Sequence, residues 1–112
     1  MALTTAQLRA YQRICDKDSG RILVVAMDQR NSMKKLISGI DEASPDDLVH
    51  AKLDLVAYLG NEAPALLLDP TTVVPRVVDE GILARDTALM VGMDATGYQP
   101  GDDGLRKSAI VE

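Results

Sequence analysis

Phenylalanine and tryptophan are absent from this chain, and it has three tyrosines, one cysteine and one histidine. Any core must therefore be built from Val, Leu, Ile, Ala and Met. The single cysteine, Cys15, excludes an internal disulfide and fits a reducing compartment, so a cytoplasmic location is expected; it reads as a small buried hydrophobe. The single histidine, His50, has no second imidazole to complete a metal site and reads as a solvated surface residue. Long apolar runs are also missing. None approaches the ~20 residues needed to span a bilayer, and the opening MALTTAQLRAYQ lacks the cationic and apolar regions of a signal peptide. Positive charge is scarce, with 12 Lys and Arg against 17 Asp and Glu, a net charge of −5 and a pI near 4.7. A chain this acidic is a poor general binder of nucleic acid or of anionic membrane, and an anionic substrate would need a local cluster of donors.

Several site motifs are missing as well. There is no GxGxxG, no P-loop and no serine-centred nucleophile elbow. Asp28 lacks the adjacent acidic pair of a phosphoryl-accepting receiver domain. A magnesium site from Asp28, Asp69 and Asp94 is geometrically conceivable, but separated carboxylates at strand ends are common, and no metal is assigned.

What remains is ordinary globular composition: 112 residues, 46% hydrophobic and 26% charged, enough for one small domain. Thr4 and Gln7 have capping-box spacing, and Leu8, Tyr11, Ile14 and Cys15 recur on one helical face. ILVVAM (22–27) is a β-branched run that suits a parallel strand covered on both sides. NSMKKLIS (31–38) reads as a short helix capped by Asn31 or Ser32, with Met33, Leu36 and Ile37 on its apolar side. The segment 43–60 is the best helix: Ser44 caps it, Pro45 takes the first position, and Asp46 and Asp47 favour its positive end. Its apolar stripe is Leu48, Ala51, Leu55 and Leu59, widened by Val49, Leu53 and Val56; His50 and Lys52 fall among the polar positions.

ALLLDP (65–70) and TALMVGMD (87–94) are two further apolar strands, separated by a short helix over 75–83 with Pro75 in its first turn. The segment 95–104 reads as a polar loop, and 105–112 begins another extended piece. Strands alternating with helices predict an α/β fold of about three parallel strands with flanking helices.

In such folds, the right-handed crossover rule puts all strand ends on one side, where ligands bind. Asp28-Gln29-Arg30, Asp69-Pro70 and Asp94 all fall there. Asp69 and Asp94 also have plain readings as turn or cap residues. Asp28 with Gln29 brings two hydrogen-bonding side chains together and is the favoured site pair, with Arg30 and Asp69 as further candidates.

ILVVAMDQRNSMKKLI resembles the class I tagatose 1,6-bisphosphate aldolase family, which is related to the sulfofructose-phosphate aldolases. ALLLDP with VVDEG, and then TALMVGMDATGY, follow in the family's order, so the resemblance covers nearly the whole chain. Only the Asp-Gln-Arg strand is specific by itself. The resemblance implies the N-terminal portion of a (β/α)8 TIM barrel, with residues 1–112 as a single partial segment. It implies a lyase that cleaves a phosphorylated ketose through a lysine Schiff base, without metal or organic cofactor. Asp28 and Gln29 match family positions that bind substrate hydroxyls.

The five lysines are Lys17, Lys34, Lys35, Lys52 and Lys107, and none ends an apolar strand. The resemblance places the Schiff-base lysine and the catalytic glutamate on later strands, beyond residue 112. Three strands do not close a barrel and leave open edges. The chain alone is therefore expected to be inactive, and a second copy of itself is one candidate cover for such an edge. The rival expectation is a small non-catalytic α/β domain that binds or regulates a partner, which requires a fourth strand at 105–112 to complete the sheet.

Overall fold

The computed structural model describes residues 2–39, 43–60 and 62–110. Local signals set the helix starts. Thr4 Oγ1 accepts the Gln7 N–H at 3.2 Å and Gln7 Oε1 accepts the Thr4 N–H at 2.9 Å, opening α1 (Thr5–Ile14) with both halves of a capping box. Leu8 and Tyr11 of α1 remain exposed, and Cys15, expected to be buried, is half-buried. The Asp16 carboxylate takes the Ser19 N–H at 2.8 Å and its hydroxyl at 2.6 Å, folding the turn that leads into β1 (Val24–Met27).

Helix α2 (Asn31–Ser38) follows at once. Its N-cap is Arg30, with no side-chain cap bond, rather than Asn31 or Ser32. It ends at Gly39, whose φ of 69° is left-handed and returns its N–H to the Lys35 carbonyl at 2.8 Å. Leu36 on its apolar side is 84% exposed. Helix α3 (Pro45–Leu59) has the expected start: Ser44 caps it, Asp47 completes the capping box, and proline stands at its first turn. Then come β2 (Ala65–Leu68), α4 (Val74–Asp79) and β3 (Ala88–Val91).

The three strands form one parallel sheet in the order β1-β2-β3. Val24 pairs with Ala65 and Ala65 with Ala88; at the far end Met27 pairs with Leu68 and Leu68 with Val91. The strand ends are therefore level. The core is a cluster of Met27, Leu66 and Leu68 from the sheet with Leu53 and Val56 from α3 and Val73 and Val77 around α4. Alternation puts Met27, Leu66 and Leu68 on the helix-facing side. On the other side Ala26 is exposed and Leu67 and Met90 are half-buried, so the sheet is not covered equally on both faces as ILVVAM suggests.

Beyond β3 the structure departs from the polar loop expected at 95–104. β4 (Asp94–Pro100) and β5 (Arg106–Ile110) pair antiparallel as a separate two-stranded sheet. The turn between them is closed by the Gly101 N–H on the Leu105 carbonyl at 2.8 Å. The extended segment foreseen at 105–112 is β5 as far as Ile110; its last two residues lie outside the described ones. β5 does not extend the parallel sheet. Among the described residues, no helix is long and apolar enough to cross a membrane.

Candidate active site at the strand ends

The residues that follow the paired ends Met27, Leu68 and Val91 are Asp28, Asp69 and Gly92. The ladder continues one step past the strands, since Gly92 donates its N–H to the Leu68 carbonyl at 3.0 Å. The three lie on one rim, and their surroundings differ.

Asp69 is 1% exposed and is satisfied by its own chain. The Lys52 ammonium, itself 0% exposed, reaches from α3 to Asp69 Oδ2 as a buried ion pair. Thr72 gives Oδ1 its backbone N–H at 2.8 Å and Oδ2 its hydroxyl at 2.6 Å. Burial alone would raise the Asp69 carboxyl. The Lys52 ammonium and then the Thr72 hydroxyl and N–H outweigh it and hold the group below the ordinary carboxylate range. Asp69 thus ties the turn after β2 to the second turn of α3.

Lys52 is the residue that sequence reasoning misplaced. Assigned to the polar face, it sits on the buried one, where α3 buries Leu48, Lys52, Leu53 and Val56. The signal was available: Leu48, Lys52 and Val56 fall at i, i+4 and i+8, and an acid ends the next strand. His50, in contrast, is exposed as expected.

Asp28 is half-buried and has no hydrogen-bond donor among the described residues. A Cβ placed on Gly92 would lie 3.7 Å from both its Cβ and its Oδ2, and 3.9 Å from the Leu68 carbonyl oxygen. Asp28 and Gly92 thus meet across the end of β2. In a flat sheet, strands flanking a third lie about 9–10 Å apart, so the two chain segments converge over the end of β2 once past their strands. Helices α3 and α4 pack against Met27, Leu66 and Leu68 of the sheet.

Gln29 does not share this position. It is exposed and borders a mostly apolar groove with Met27, Met33, Leu36, Ala51 and Leu55, between α2 and α3. Arg30 is half-buried and donates from Nη2 to the Asp94 backbone carbonyl at 3.4 Å, which links the end of β1 to the start of β4. Asp94 is exposed and opens β4 rather than closing β3. Among the described residues, no group of three or more His, Cys, Asp or Glu is placed to hold a metal ion. The rim therefore offers the Asp28 carboxylate and the Arg30 guanidinium, with the exposed Asp94 at the start of β4, which can bind hydroxyl and anionic groups of a polar molecule.

No protein-family model matches the chain. Three curated relatives do. Tagatose 1,6-diphosphate aldolase 2 of Enterococcus faecalis (strain ATCC 700802 / V583) is 33% identical over 101 residues, which is 88% of this chain and 29% of that protein. Tagatose 1,6-diphosphate aldolase 2 of Streptococcus agalactiae serotype III (strain NEM316) is 29% identical over 96 residues, 84% of this chain and 28% of that protein. Tagatose 1,6-diphosphate aldolase of Lactococcus lactis subsp. lactis is 27% identical over 100 residues, 88% of this chain and 29% of that protein. The chain thus spans under a third of the length of the relatives it matches, and over that span it is a partial, distant match to the tagatose 1,6-diphosphate aldolase family.

Proposed function

We propose that this chain is the N-terminal portion of a (β/α)8 barrel aldolase that cleaves a phosphorylated ketose, such as tagatose 1,6-bisphosphate, into two three-carbon units. The observation that carries the reading is the Asp28 carboxylate, left without a donor among the described residues at the carboxyl ends of three parallel strands, against Gly92. The names of the relatives point to the same chemistry. Helices packed on one face of the sheet, with β1 and β3 as its edge strands, are what an eight-stranded barrel would extend and close.

In this reading Asp28 accepts hydrogen bonds from substrate hydroxyls and orients the carbon chain for cleavage. Arg30 adds positive charge to an acidic rim, while the Gln29 amide borders the groove between α2 and α3. Asp69 keeps the rim in place without touching substrate. The electron sink would be an imine on a lysine from a later strand, activated by desolvation or by neighbouring cations. The reading places the protein in the cytoplasm and leaves a homo-oligomer as one cover for the free edges. The rival domain that completes its own sheet is less well supported, because β5 pairs with β4 instead.

The test is borohydride trapping. The full-length gene product, incubated with tagatose 1,6-bisphosphate and borohydride, should gain the mass of a reduced imine on one lysine. The 112-residue chain alone should gain none. A full-length protein that forms no adduct with this or a sulfo-ketose phosphate is not a Schiff-base aldolase.

A further inference from the structure

Gly92 is a glycine that its own backbone does not require. Its φ lies outside the left-handed region, unlike those of Gly20, Gly39, Gly81 and Gly104. Its N–H is engaged in an ordinary ladder bond to Leu68. A Cβ would meet its neighbours at ordinary van der Waals distance, 3.7 Å at the nearest, so alanine fits without displacing anything. Gly92 stands one residue past β3 and still bonds to its ladder, and a glycine at a sheet often marks a close approach by a ligand or another backbone. Here the atoms that a longer side chain would reach are those of Asp28, the rim carboxylate without a donor.

We propose that Gly92 is a specificity-determining position, whose missing side chain leaves the Asp28 carboxylate open, across the end of β2, to a hydroxyl of the bound ketose. The inference rests on the aldolase reading and deepens it. The β1 end supplies the acceptor and the β3 end supplies the room. A hydroxyl entering over Gly92 meets Asp28 Oδ2 above the Leu68 carbonyl, which is the side of Asp28 that no protein donor occupies.

The experiment is a graded series at this position in the full-length protein, read by imine trapping, kcat/KM and thermal midpoint. Gly92→Ala should lower kcat/KM for tagatose 1,6-bisphosphate about threefold to tenfold, mainly through KM. Gly92→Leu should lower it at least a hundredfold. Gly92→Ala should leave the melting temperature within about two degrees. In an Asp28→Ala background, Gly92→Ala should have no further effect, because the contact it obstructs is already gone. Activity that is equal in the parent, Gly92→Ala and Gly92→Leu proteins overturns this inference alone. So do additive losses in the double variant. Absence of an adduct in the unsubstituted protein overturns the aldolase reading and this inference with it.

Discussion

Asp28 and Asp69 stand at the same level on adjacent strands, each following a leucine or methionine of the core, yet they have opposite fates. Asp69 is buried, paired with Lys52 and hydrogen-bonded by Thr72. Asp28 is half-buried, lies against a glycine and has no donor among the described residues. Sequence shows the same event twice, an apolar strand ending on an acid. The difference comes from what the neighbouring elements bring to each end. At β2, α3 delivers an ammonium and the next turn delivers the N–H and hydroxyl of Thr72. At β1, the β3 end, reaching across β2, delivers an empty Cα. One acid is committed to holding the fold and the other is available to a ligand.

The comparison breaks most severely at Lys52. Lys52→Ala leaves the Asp69 charge buried without its counter-ion, and removing one partner of a buried pair costs about 3–5 kcal/mol. Urea denaturation should register that loss. Replacing both, Lys52→Met with Asp69→Leu, should recover most of it, since an apolar pair of similar volume removes the uncompensated charge. Asp28→Ala should cost under about 1 kcal/mol in the same assay, because no folded-state partner is lost. If Lys52→Ala proves as mild as Asp28→Ala, the division of roles between the two acids is wrong.

Turnover should rank the two acids the other way. In the full-length protein Asp28→Ala should lower kcat/KM at least a hundredfold, equivalent to about 2.7 kcal/mol of transition-state stabilisation, with an unchanged melting temperature. Thr72→Val sharpens the contrast from the other side. It removes the hydroxyl that donates to Asp69 Oδ2 at 2.6 Å. A lost hydrogen bond to a charged group costs about 1.5–3 kcal/mol of stability, and the KM of the variant should stay at the parent value.

How far the sequence discloses this arrangement depends on the range of the interaction. The Thr4–Gln7 and Ser44–Asp47 capping boxes are written within four residues and are found as expected. The three parallel strands follow from ILVVAM, ALLL and TALMV, whose apolar character is itself the signal. The β4–β5 hairpin stays hidden because DATGYQP and RKSAI lack apolar alternation and the segment between them is rich in turn formers. Lys52 escapes the pattern because its side-chain type suggests the polar face while its position puts it on the buried one. A lysine on the Leu48–Val56 line is buried if a partner exists, and that partner stands 17 residues away on another element. Asp28 and Gln29 are neighbours in sequence, but side chains alternate along a strand, and the two residues end up in different surroundings. The role of Gly92 is invisible without coordinates, since nothing local asks for glycine there.

The smallest expected effect lies in acid. Asp69 has its carboxyl held below the ordinary value in the folded state, so the folded chain binds fewer protons than the unfolded one around that pH. Its contribution is fully present above the unfolded carboxyl value of about 4. It is lost as pH falls from there through the lower folded value, at no more than about 1.4 kcal/mol per pH unit. Denaturation midpoints followed from pH 6 to pH 2.5 should therefore show a decline that flattens in the Lys52→Met, Asp69→Leu variant. A parent slope unchanged by removal of Asp69 would mean that other carboxylates, such as the turn acid Asp16 and the capping-box acid Asp47, which are also held low by hydrogen bonds from Ser19 and Ser44, carry the whole acid dependence. The Lys52–Asp69 pair would then fix geometry and contribute no measurable pH-linked stability.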